Sequence, residues 1–158
     1  MNKKIIFIVQ TAVIAAIYFV LTFFLTPISF GPVQVRISEA MSVLVFFTPA
    51  AVPGLAIGCL ISNLASPYGM LDIVFGTLAT LLSAICARRI RHKWLIGIPY
   101  VVFNAVIVGY VLHLMVAGLG WLYAALGVGL GELLSVYVLG IPLLNLIDKN
   151  EPIKRMLQ

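Results

Sequence analysis

Residues 5–25, IIFIVQTAVIAAIYFVLTFFL, contain no charged side chain. A helix of about 20 apolar residues, at ~1.5 Å each, matches the ~30 Å hydrocarbon core of a bilayer. Lipid offers no partner to backbone N–H and C=O groups, so a continuous apolar run there must be helical. Lys3 and Lys4 precede the run. It is longer than the apolar region of a secretory signal, and no small-residue cleavage site follows it. It therefore reads as a first membrane helix.

Further runs cover 71–87, 94–117 and 121–147. The stretch 38–65 is too long for one span and is interrupted by Pro49, Pro53 and Gly54. Proline disfavours helical backbone in the residue before it, which predicts a turn over 47–53 between two short helices. Charge placement supports that division. Only 9% of the residues are charged, against ~25% in a soluble domain. The basic ones form three clusters: Lys3 and Lys4; Arg88, Arg89, Arg91 and Lys93; Lys149, Lys154 and Arg155. Arg36 alone lies outside them. Clusters that punctuate apolar spans orient a membrane protein and do not predict a nucleic-acid partner. If 38–65 crosses twice, all three clusters lie on one side. The expectation is an all-α integral membrane protein: a six-transmembrane-helix bundle in the lipid bilayer, both termini cytoplasmic, with residues 1–158 as a single membrane domain. The loops 26–37, 66–70 and 118–120 then face outward.

An ionisable group inside a span is costly and marks a candidate functional site. The candidates are Glu39, Asp72, His113 and Glu132, with Asn63 and Asn104 beside them and Arg36 just before the second helix. Glu39 and Asp72 have two readings each. They can complement the dipole of a helix start, or they can form two walls of an outward pocket. Glu132 lies in mid-helix, where capping does not explain it. It follows Trp121 by 11 residues, about three turns, which puts the two on one face roughly 16 Å apart. Trp121 reads as an interfacial anchor or as a stacking surface. Asn63 and Asn104 can bond another helix or a ligand, and His113 can reach interfacial water. Small residues recur at four-residue spacing in Ala12 and Ala16, and in Gly127, Gly131 and Ser135, with Gly76, Thr80 and Ser83 forming a similar stripe. Such faces let helices approach closely, within the chain or against a second membrane protein.

Cys59 and Cys86 read as unpaired residues within spans, and no metal-ligand spacing or C-x-x-C is present. There is no P-loop and no H-E-x-x-H. No catalytic residue, metal or cofactor is expected in this chain. A polar-lined bundle with no energy source of its own reads as a binding subunit that works with others. The open alternatives are a small stand-alone transporter, a dimeric channel and a structural subunit without a ligand.

Three stretches carry a family resemblance: QVRISEAMSVL, AIGCLISNLASPYGMLDIVFGTLATLLSA and GELLSVYVLGIPL. The chain resembles the QueT family, substrate-binding (S) components of energy-coupling factor (ECF) transporters assigned to queuosine precursors. The resemblance covers nearly the whole chain. It implies a transmembrane coupling subunit and two ATPase subunits as partners, with ATP hydrolysis in those partners. It implies that the Ala12 and Ala16 face docks on the coupling subunit. It also implies that the loop after the first helix, with Phe30, Gly31, Pro32, Gln34 and Arg36, closes over the substrate. The substrate it implies is a small-molecule 7-deazaguanine, whose ring N–H and exocyclic amine are neighbouring donors that one carboxylate can accept together. On that basis Glu39, Asn63, Asp72, Asn104 and Glu132 are the expected polar contacts. Trp121 is the expected stacking platform, with Tyr68, Phe30 and Tyr123 at similar depth. Arg36 can pair with an acid or reach the substrate, and the sequence leaves both open. An S component for another vitamin would share all of this architecture.

Overall fold

The computed structural model describes residues 2–30 and 34–157, and every regular element among them is helical. Helix α1 spans Lys3–Phe24. Its start is capped by the Asn2 side chain, which accepts from the Lys4 N–H at 3.1 Å. Then come α2 (Ile37–Phe46), α3 (Ala51–Asn63), α4 (Gly69–Arg88), α5 (Gly97–Met115), α6 (Trp121–Lys149) and a terminal α7 (Glu151–Leu157). The chain turns into α4 and between α5 and α6 at Gly69 and Gly118, whose φ angles of 64° and 80° favour a residue without Cβ.

Helices α1, α4, α5 and α6 are long and apolar enough to cross a membrane. Their outer faces expose large apolar side chains, among them Ile8, Val13, Val102, Leu126 and Val138. This chain is a multi-pass membrane protein, and these side chains meet lipid.

The other two helices are shorter and differently wound. Helix α2 is a ten-residue 3₁₀ helix, which at ~2.0 Å per residue reaches about 20 Å. Helix α3 has 13 residues, which at ~1.5 Å per residue also reach about 20 Å. The tight winding therefore matches the two in length. The turn between them closes at residue 50, and not at 53 as the prolines predict. Pro53 sits in the first turn of α3, where a missing N–H costs nothing because no carbonyl precedes it in the helix.

This turn lies near the start of α1. The Thr48 hydroxyl donates to Gln10 Oε1 at 2.9 Å, and the Thr11 hydroxyl to the Ala50 carbonyl at 3.3 Å. At the end of α4, Arg88 donates to the Val45 and Phe46 carbonyls at 2.8 and 3.1 Å. Gln10 Nε2 reaches the Met156 carbonyl of α7 at 2.6 Å, and Lys93 reaches Asn145 Oδ1 at 3.0 Å. All three basic clusters thus gather at one end of the bundle.

Helix α2 is the innermost element, buried at every residue from Ser38 to Val45. Helix α3 comes close to α1 because Gly54 and Gly58 lack side chains. A Cβ at Gly58 would stand 2.7 Å from Tyr18 Cβ, and one at Gly54 2.9 Å from Ile14 Cβ. Gly140 lets α6 approach α2 in the same way, with the Ala40 carbonyl 3.1 Å from where its Cβ would be. The core packed by these contacts includes Tyr18, Val43, Leu55, Tyr100, Val136 and Leu144. Three of the long helices contain π-helical turns, at Asp72–Gly76, Asn104–Val108 and Leu134–Gly140. Such turns interrupt the α-ladder and are frequent at functional sites.

Candidate functional site

Four charged side chains enter the interior away from the basic end: Arg36, Glu39, Asp72 and Glu132, each at most 3% exposed. Arg36 stands in the extended segment that leads into α2, and Glu39 in the first turn of that helix. Asp72 opens the π-turn of α4, and Glu132 lies just before that of α6. Each acid is therefore on a different helix, while residues 34–36 cross between them.

The Arg36 guanidinium pairs with Asp72 at 3.4 Å and lies over the Phe30 ring, 5.2 Å from its centroid. Of the two roles open to Arg36, pairing with an acid is thus present in the structure. The Ser66 hydroxyl donates to the same Asp72 oxygen at 2.6 Å. Asn63, at the end of α3, donates to the Asp72 carbonyl at 3.0 Å. Gly76 makes room for this group, since a Cβ there would stand 2.8 Å from Asn63 Nδ2 and 2.9 Å from Asp72 Oδ1. Glu39 accepts from the Tyr18 hydroxyl of α1. Glu39 thus stands in the first turn of α2 and also bonds another helix. Asp72 is the fourth residue of α4, which begins at Gly69, and its side chain bonds Arg36 and Ser66.

The segment that carries Arg36 is pressed against α6. A methyl built on Gly131 would run into the Gln34 carbonyl, 2.6 Å from its carbon. Gln34 is buried, and the Tyr68 hydroxyl donates to the Phe30 carbonyl at 2.9 Å. Phe30, Gln34 and Arg36 are thus buried beside the acids, with Arg36 bonded to Asp72 and stacked on Phe30. Gly31 and Pro32, also assigned to this loop, lie outside the described residues.

Several polar atoms in this interior have no partner: Glu39 Oε2, Asn63 Oδ1, Asp72 Oδ1 and Glu132 Oε2 among the acceptors, and Gln34 Nε2, Arg36 Nε and the Tyr100 hydroxyl among the donors. A buried polar group without a hydrogen bond costs about 1–3 kcal/mol. A ligand that supplies complementary groups removes that cost. The arrangement has no nucleophile–base pair and, among the described residues, no group of three metal-ligating side chains. It can hold a polar solute by hydrogen bonds and charge. Two cavities lie elsewhere. One, of about 570 Å³, is lined by residues of the basic end, among them Lys3, Gln10, Thr48 and Arg155. The other, about 330 Å³, is an apolar groove along α4 and α5 that includes Phe75 and Tyr110.

Not every expected residue joins the centre. Trp121 is 44% exposed at the start of α6, and Tyr123 is more exposed still. Buried aromatic rings beside the charged groups are those of Phe30, under Arg36, and Tyr18, bonded to Glu39. Asn104 is buried, but its amide donates to the Tyr100 carbonyl one turn back at 3.0 Å. His113 bonds the Leu119 carbonyl at 2.6 Å across the α5–α6 turn. Ala12 and Ala16 are exposed on α1, while Ala15 between them is buried. Tyr18, whose hydroxyl bonds Glu39, stands beside the acids and is missed by sequence reasoning. A phenol within an apolar span needs a partner for its hydroxyl, and that is the available signal.

Three acids and one arginine buried inside a lipid-facing helical bundle define a multi-pass membrane protein with a charged interior. Comparison with known proteins gives the family: residues 8–149 match the QueT transporter family, and the chain belongs to it. It is similar to the "Queuosine precursor transporter QueT" of Lactococcus lactis subsp. cremoris (strain MG1363), 41% identical over 76 residues. That match takes in 47% of this chain and 44% of the relative, so it spans less than half of the relative's length. No solved structure matches the chain.

Proposed function

We propose that this chain is the substrate-binding membrane subunit of an ECF-type importer. It captures a queuosine precursor, a 7-deazaguanine, from outside and passes it on through a coupling subunit and two ATPase subunits that supply the energy. The observation that carries this reading is the set of unpaired acceptor oxygens on Glu39, Asn63, Asp72 and Glu132, buried with Phe30, Gln34 and Arg36. A guanine-like ring presents adjacent N–H donors, which is the complement these acceptors lack. Phe30 offers it an aromatic face.

The reading includes six crossings within one membrane domain. The gathering of the three basic clusters at one end supports it, since that end is then cytoplasmic. Helices α2 and α3, near 20 Å each, fall short of the ~30 Å hydrocarbon core; α2 is tolerated because protein surrounds it, and α3 keeps an apolar face with Ile57, Leu60 and Ile61 exposed. The exposed Ala12 and Ala16 face of α1 is the surface for the coupling subunit. Trp121 and Asn104 remain secondary contacts in this reading, reached when the loop of Phe30, Gln34 and Arg36 opens.

The test is calorimetric titration of the purified chain in detergent with 7-deazaguanines, guanine, riboflavin and thiamine. Calorimetry is preferred to tryptophan fluorescence because Trp94 and Trp121 are both exposed. Saturable binding of deazaguanines is the expected result. Binding of riboflavin or thiamine instead would refute the substrate, and no binding by folded protein would refute the subunit role.

A further inference from the structure

The interior is not balanced in charge. It holds three carboxyl groups and one guanidinium. The ion pairs among the described residues are Arg36–Asp72 inside and two near the C-terminus. Asp72 therefore has its counter-ion. Glu39 lacks one, but its carboxylate accepts the Tyr18 hydroxyl. For Glu132 no pairing cation is present among the described residues, and its Oε2 has no hydrogen-bond partner. Gly131, the neighbour of Glu132, packs on the Gln34 carbonyl, so α6 brings Glu132 beside the segment that carries Arg36. The buried interior thus holds two carboxyls in excess of its cations.

A carboxylate taken out of water needs a counter-charge or a full set of donors. Among the described residues the chain supplies neither to Glu132, which is buried on α6 next to Gly131 and the Gln34 carbonyl packed there. We infer that the site recognises a planar heterocycle that also carries a protonated primary amine, with Glu132 as the partner of the ammonium group. Glu39, pre-oriented by Tyr18 and keeping one free oxygen, takes ring N–H donors. This rests on the function proposed above. Within it, the inference selects the aminomethyl form of 7-deazaguanine over the neutral nitrile form, which shares the ring but has no cation.

The test compares the two ligands on the full chain in detergent: 7-aminomethyl-7-deazaguanine and 7-cyano-7-deazaguanine, titrated into wild type, Glu132→Gln and Glu39→Gln. Wild type should bind the aminomethyl form at least about 10-fold more tightly, the scale of a desolvated charge pair. Glu132→Gln should erase that preference, weakening the aminomethyl form about 10- to 100-fold and the nitrile by less than about 3-fold. Glu39→Gln should weaken both. Equal affinity of the two ligands for wild type overturns the inference and leaves the proposed function standing. So does an equal loss for both in Glu132→Gln. Binding of neither to folded wild type overturns both together. If Glu132→Gln does not fold, the wild-type comparison decides.

Discussion

Replacing Asp72 by asparagine keeps the shape of the side chain, removes its charge and turns one acceptor oxygen into an N–H donor. The Arg36–Asp72 separation of 3.4 Å corresponds to an attraction near 5 kcal/mol at an effective dielectric of ~20. Removing one partner of a buried pair costs about 3–5 kcal/mol, because the other charge is stranded. Arg36, however, lies in the extended backbone just before α2 and outside the helices. Its guanidinium can reach water if this segment lifts, and the helices need not separate. The cost should therefore appear as local opening. Amide hydrogen exchange read by mass spectrometry should show residues 34–40 of Asp72→Asn exchanging about 100-fold faster or more, which 3 kcal/mol represents. Exchange in α5 and α6 should barely change. The double variant Arg36→Met, Asp72→Leu, which leaves no buried charge, should regain most of the protection. Unchanged exchange over 34–40 in Asp72→Asn would refute the view that this pair holds the segment down. A double variant as open as the single one would refute the assignment of the cost to the stranded charge.

Three further outcomes are expected. Tyr18→Phe removes the hydroxyl donated to Glu39 and should destabilise the chain by about 1–3 kcal/mol, visible as a lower unfolding temperature in detergent. Gly58→Leu would drive a side chain into Tyr18; it should abolish the close α1–α3 packing and yield aggregated protein on size-exclusion chromatography, while Ile57→Ala, at an exposed position of the same helix, should not. Ala16→Trp adds bulk to an exposed face, so ligand affinity in detergent should stay within about 2-fold of wild type while uptake by cells carrying the coupling subunits is lost.

The four long helices are legible in sequence because a bilayer of fixed thickness sets their length. The break within 38–65 is legible because proline acts locally. The winding of α2 is not, since nothing in ISEAMSVLVF prefers 3₁₀ over α backbone; its neighbours on all sides impose it. At the site, the acids stand out because each is rare in an apolar chain. Their pairings do not. That Arg36 meets Asp72, and Glu39 meets Tyr18, depends on the register of helices distant in sequence. Helical spacing relates Trp121 to Glu132, but spacing fixes a face and not which neighbour that face meets. Gly54 and Gly58 form the very small-residue pattern sought on other helices. Pro49 and Pro53 draw attention in that stretch to its turn and away from its packing.

The burial of α2 also bears on how the chain is made. In a bilayer, helices that each tolerate lipid form first and then associate. Helix α2 offers lipid no face, since every residue from Ser38 to Val45 is buried, and it packs against the Gly140 region of α6. That wall is synthesised long after α2. A nascent chain that has not yet produced α6 thus holds α2, and Glu39 with it, without this part of its enclosure.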